Sequence, residues 1–197
     1  MINITNTPPP EQIEINGKTY LIDYDFKTWA EIHTMIQGFV NNPQTKEDEL
    51  NNYELILRME QMVFGKLINQ PWQHVLMAFA EFLKGYPKAD NGYRNEGHDE
   101  PLYSFKYDMN YIVIAIRNQS GIDLSYRRKK PYHWWLFLLE FETLTEGHYI
   151  IELIQRRAYK GNDTDLLRLK RAAALPREIT RADQQIIEEM DNLFYNT

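Results

Sequence analysis

Pro131-Tyr132-His133-Trp134-Trp135-Leu136-Phe137-Leu138-Leu139-Glu140-Phe141 is the densest aromatic run in the chain and holds two of its four tryptophans. A proline opens it and Gly147 lies beyond its end, the usual punctuation of a helix start and stop. Apolar residues on almost every side predict a helix over 132–146 that is buried around most of its circumference. Each aromatic side chain buries about 150–250 Å², so such a plug must be wrapped by other helices or by a partner.

The chain around it supplies the helices. Asp25 is placed to cap a first helix whose stripe is Phe26, Trp29, Ile32, Ile36 and Phe39, ended by Asn41-Asn42-Pro43. A second is predicted over Glu47–Ile68, with Leu50, Tyr53, Leu57, Phe64 and Leu67 inward. A third runs from Pro71 to Gly85 with Trp72, Val75, Leu76, Phe79, Phe82 and Leu83 as its stripe. Asp108 reads as the cap of a fourth, with Met109, Ile112, Val113 and Ile116 inward and Gly121 as its stop. After the aromatic helix come His148–Lys160, with Arg156, Arg157 and Lys160 suited to its C-terminal dipole, then 163–175. An eighth helix is expected after Thr180, with Ile186, Ile187, Met190, Leu193 and Phe194 on one side. Before all of these, Ile13-Glu14-Ile15-Asn16-Gly17-Lys18-Thr19-Tyr20-Leu21-Ile22 reads as a β-hairpin, because Asn-Gly suits the two positive-φ positions of a type I′ turn. Ile13, Ile15, Tyr20 and Ile22 are its packing face. The fold class is therefore mainly α: a bundle of seven to eight helices with one N-terminal hairpin. Residues 1–10, with Pro8 to Pro10, read as a mobile extended arm. Residues 11–176 form one domain containing a flexible polar loop at 86–101, and residues 177–197 a C-terminal helix that Pro176 can detach.

Charge and composition limit the function classes. The 197 residues carry a formal net charge of −6 and no cysteine. Nothing in the overall charge draws the molecule to nucleic acid or anionic lipid, and disulfide, zinc-thiolate and cysteine-nucleophile chemistry are excluded. No stretch is long and apolar enough for a membrane span, and the polar, proline-rich start is unlike a secretory signal. No H-E-x-x-H pair, glycine-rich phosphate loop or G-x-S-x-G motif occurs. His98-Asp99-Glu100 lacks distant partner ligands, so a solvated loop accounts for it better than a metal site. Asp163 and Asp165 suit helix capping better than calcium. No enzyme chemistry and no cofactor are expected. Residues 127–181 hold twelve Lys+Arg against seven Asp+Glu, and Arg127, Arg128, Lys129, Lys130, Arg168, Lys170 and Arg171 form the basic patch. Its neighbouring aromatics sit at core-like spacing rather than as stacking platforms, so a solvated basic face is preferred to a nucleic-acid site.

Four segments, in order, resemble the bacteriophage gene-product-fifteen family: Ile13–Tyr20 with Asp25-Phe26-Lys27-Thr28-Trp29; Tyr103-Ser104-Phe105-Lys106-Tyr107-Asp108 with Tyr111-Ile112 and Gly121-Ile122-Asp123-Leu124; Tyr132-His133-Trp134-Trp135-Leu136-Phe137 with Leu144; and Ile154-Gln155-Arg156-Arg157-Ala158-Tyr159 through Leu175-Pro176. The resemblance spans about residues 11–176. It implies a tail-region protein of long-tailed phages and prophages of Gram-positive hosts, encoded next to the tape-measure protein. The expected role is a non-enzymatic tail assembly chaperone, forming homo-oligomers in the host cytoplasm and binding the tape-measure or other tail proteins. The alternatives are a structural tail or connector subunit of the virion and, behind it, a nucleic-acid binder using the basic region. A chaperone for a helical client needs an apolar surface. The candidate partner-binding residues are Trp29, Trp72, Trp134, Trp135 and Phe141, each of which would otherwise belong to the core. The Asn-Gly hairpin offers an edge for pairing between copies.

Overall fold

The computed structural model describes residues 6–40, 43–86, 101–125 and 129–176. Within them the order is β1 (Gln12–Ile15), β2 (Lys18–Leu21), α1 (Phe26–Gln37), α2 (Lys46–Phe64), α3 (Trp72–Leu83), α4 (Phe105–Ser120), α5 (Trp134–Glu142), α6 (Tyr149–Ala158) and α7 (Thr164–Ala173). The fold is mainly α, with seven helices and a two-stranded hairpin among the described residues. The eighth helix, residues 87–100 of the polar loop, and Arg127 and Arg128 lie outside them.

The hairpin turns where Asn-Gly demands it. Asn16 and Gly17 both have positive φ, 51° and 72°, and Ile13 pairs with Tyr20 and Ile15 with Lys18 across an antiparallel register. Ile15 and Ile22 are buried beneath it. The tail of β2 is tied down by Asp23, whose N–H donates to the Val63 carbonyl near the end of α2 (2.7 Å).

Helices α1 and α5 begin side by side. The Phe26 N–H donates to the Tyr132 carbonyl (2.8 Å) and the Trp134 N–H to the Tyr24 carbonyl (2.9 Å). Each helix is capped beside that bridge, α1 by the Asp25 carboxylate and α5 by the His133 ring. The aromatic helix is thus a nine-residue rod held at its first turn, shorter than periodicity alone predicts.

Its tryptophans have two roles. Trp134 is fully buried, against Phe105 and Phe137. Both indoles also cap α3: the Trp135 N–H donates to the Phe82 carbonyl (2.8 Å) and the Trp134 N–H to the Leu83 carbonyl (3.2 Å). The last carbonyls of a helix lack intrahelical donors, so the pair meets a standing need. Trp29 completes the core, 4.1 Å from the Phe82 ring and edge-on to Phe79, with its own N–H on the Asp23 carbonyl (2.6 Å).

Two expectations need correction. Asp108 does not cap α4. Ser104 does, accepting from the Lys106 N–H, and the helix starts four residues earlier than expected. Asp108 instead accepts the Ser104 N–H from within the first turn (2.9 Å). Of the stripe predicted for α2, Phe64 packs against the core, beside Tyr20 and Phe79, but most of the rest is on the wrong face. Leu50, Tyr53 and Leu67 are 55%, 56% and 57% exposed, while Ile56, Met59 and Val63 enter the core. Asn52 and Glu60 are buried with them. The Asn52 amide bonds both the N–H and the carbonyl of Val40 (3.0 and 2.8 Å), and the Glu60 carboxylate accepts the Ile68 N–H (2.8 Å). Two satisfied polar residues on the inner face hid it from a reading based on apolar period. The helix also stops at Gly65, in the left-handed region, rather than at Ile68.

Candidate functional site: an apolar cleft between the first and fourth helices

Helices α1 and α4 pack against each other, and a cleft lies between them with the buried Phe26 and Phe105 in its lining. The cleft has a volume of about 890 Å³. Ala30 and Thr34 of α1 form one wall, Met109, Val113 and Ile114 of α4 the other, and Leu124 after α4 closes part of it. Lys27, Glu31, Lys106 and Asn110 supply its polar groups. Its lining is chiefly apolar, and Ile114 stands 56% exposed. The cleft therefore offers a surface for apolar side chains, with two cations and the Glu31 carboxylate beside it. Glu31 also pairs with Arg58 of α2.

The sequence holds a signal for this cleft. Tyr111-Ile112-Val113-Ile114-Ala115-Ile116 is apolar on every side of α4. One face, Ile112, Ala115 and Ile116, is buried; the next, Val113 and Ile114, lines the cleft. A single-stripe reading of α4 includes Met109 and Val113, which pack against the core as well as lining the cleft, and omits Ile114.

The named candidates divide by place. Trp29, Trp134 and Phe141 are in the core of this chain. Trp135 is half-buried, its ring edge-on to Tyr86. Trp72 is 42% exposed at the start of α3, against Phe39. None of the five lines the cleft. Of the basic patch, Lys129, Lys130, Arg168 and Arg171 are exposed, and Lys170 donates to the Tyr159 carbonyl (2.9 Å), closing the end of α6. Asp163 caps α7 through the N–H groups of Asp165 and Leu166. Among the described residues no group of three metal-capable side chains converges. No helix among them is long and apolar enough to cross a membrane.

The wall formed by α4 is held from behind by a buried ion pair. Arg157 of α6 donates twice to the Asp108 carboxylate (2.7 and 3.1 Å) and also to the Leu102 carbonyl (3.0 Å) and the Ala173 carbonyl (2.6 Å). The two side chains are 9% and 3% exposed. One guanidinium thus joins α4, α6, α7 and the segment entering α4. The helix-dipole reading of Arg157 misses this, because its partners lie up to 55 residues away.

The family model described as Bacteriophage Gp15 protein matches residues 7–173. That span begins at Thr7, whose carbonyl accepts the Tyr86 hydroxyl, and ends at Ala173, whose carbonyl Arg157 holds. No curated protein and no solved structure matches the chain.

Proposed function

The chain belongs to the Bacteriophage Gp15 protein family, and from that premise we propose that it is a non-enzymatic tail assembly chaperone that binds the tape-measure protein in the host cytoplasm. The observation that carries the reading is the cleft between α1 and α4. A tape-measure protein is a long helical client whose apolar stripes need cover until the tail tube encloses them. An amphipathic helix is recognised by laying its apolar face in such a groove, its anchors spaced three, four and seven residues apart. Ala30, Met109, Val113, Ile114 and Leu124 supply the apolar floor and walls, and Lys27 and Lys106 favour a client with acidic residues beside its stripe.

Co-expression with the tape-measure protein of the same phage tests this. The client should become soluble and co-purify with the chain, and mass spectrometry of finished virions should find the chain absent. A client that stays insoluble overturns the proposal. Stoichiometric recovery of the chain from virions supports a structural tail or connector subunit instead.

A further inference from the structure

The cleft has a counterpart on the same molecule. On α2, Leu50, Tyr53 and Leu57 lie at positions i, i+3 and i+7, so they form one ridge along about 10 Å of helix. Leu50 and Tyr53 are more than half exposed and Leu57 is partly so. None of the three lines the cleft. The ridge is flanked by Glu47 and Glu54 on one side and Glu49 on the other; Lys46 lies one turn before Leu50, and Arg58, beside Glu54, is paired with Glu31 of α1, so carboxylates outnumber cations along it. The spacing is that of an apolar helix face read by a groove, and the flanking charge is opposite to that of Lys27 and Lys106 in the cleft.

We infer that the α2 ridge of one copy docks in the α1/α4 cleft of the next, a head-to-tail contact between two copies of this chain. The two surfaces are different, so the contact is heterologous, and repeating it builds a ring or an open filament rather than a closed two-fold dimer. The inference rests on the reading of the cleft as a helix-binding site. Client and neighbouring copy then compete for one groove, and a bound client disperses the self-assembly.

The absence of cysteine allows a direct test on the full chain. Tyr53→Cys and Ile114→Cys, both at exposed positions, are made separately and oxidised mildly, alone and mixed. The mixture should give a disulfide-linked dimer and neither variant alone should do so. Strong cross-linking of Tyr53→Cys by itself, or none in the mixture, overturns the contact. Sedimentation of the wild type should show association that weakens with salt. Lys27→Glu with Lys106→Glu should weaken it at least tenfold, and mixing with a Glu47→Lys, Glu54→Lys chain should restore it. A wild-type chain that stays monomeric yet solubilises the tape-measure protein refutes this contact alone. One that self-associates as described without helping the client refutes only the chaperone reading.

Discussion

Arg157 is the residue on which the C-terminal half of the molecule turns. Its guanidinium fills four hydrogen bonds to three separate segments and faces a carboxylate that is itself buried. Removing one partner of such a pair leaves a buried charge uncompensated, at about 3–5 kcal/mol. Arg157→Ala and Asp108→Ala should each cost that much in urea unfolding. The double variant should cost less than the sum of the two, because they share one interaction. His133 gives a second residue-scale prediction. Its Nδ1 accepts the Trp135 N–H (3.0 Å), so Nε2 carries the proton and donates to the Pro10 carbonyl (2.9 Å). Burial lowers its pKa, opposed by the Pro10 hydrogen bond and the Glu11 charge. A base held neutral in the fold contributes stability that is complete above its ordinary pKa of about 6.5 and is lost as pH falls through the window below it. Melting temperature should therefore drop between pH 7.5 and 5.5. His133→Asn, which keeps a capping acceptor, should drop less. The partly buried His33 shifts in the same direction and is present in both chains, so the difference between the two curves reports His133.

At the scale of the element, α5 and α2 make opposite points. The aromatic run reads from sequence as a helix buried on most sides because its composition leaves no polar face; it is a helix, but only the stripe Trp134, Phe137 and Phe141 is buried, and Trp135, Leu136, Leu138 and Leu139 are partly covered. Its finer division was not legible: Trp134 packs and caps, while Trp135 is half out and chiefly caps. Trp134→Ala should cost about 3–5 kcal/mol. Trp135→Ala should cost clearly less, since it loses one hydrogen bond worth about 0.5–1.5 kcal/mol and only part of a packed face. Helix α2 has apolar residues on two faces, and periodicity cannot choose between them. The choice is made by Val40, Ile68 and the core, which lie outside the helix and satisfy Asn52 and Glu60 on the inner face. Met59→Ala or Ile56→Ala should therefore cost about 2–5 kcal/mol, as large-to-small core changes do. Leu50→Ser and Tyr53→Ser should stay within about 0.5 kcal/mol of wild type in chemical denaturation, as exposed positions do. Equal losses at the two sets would place the ridge inside.

For the molecule as a whole, helix content, order and the hairpin follow from patterns within a few residues of each other, and these were legible. The cleft was not, because it is made by two helices separated by some 70 residues of chain. The aromatic candidates were chosen as the costliest side chains to leave in water, and for that reason three of them fill the core. The walls of the cleft are chiefly aliphatic. The family match covers the described fold from the arm to α7. The most direct test is capture of the tape-measure protein by purified chains carrying Ile114→Asp or Tyr53→Asp, beside the wild type. Both substitutions are at exposed positions, so folding is spared. Ile114→Asp should lose the client by at least tenfold, while Tyr53→Asp should bind it as well as the wild type or better. Undiminished capture by Ile114→Asp would contradict the assignment of the cleft.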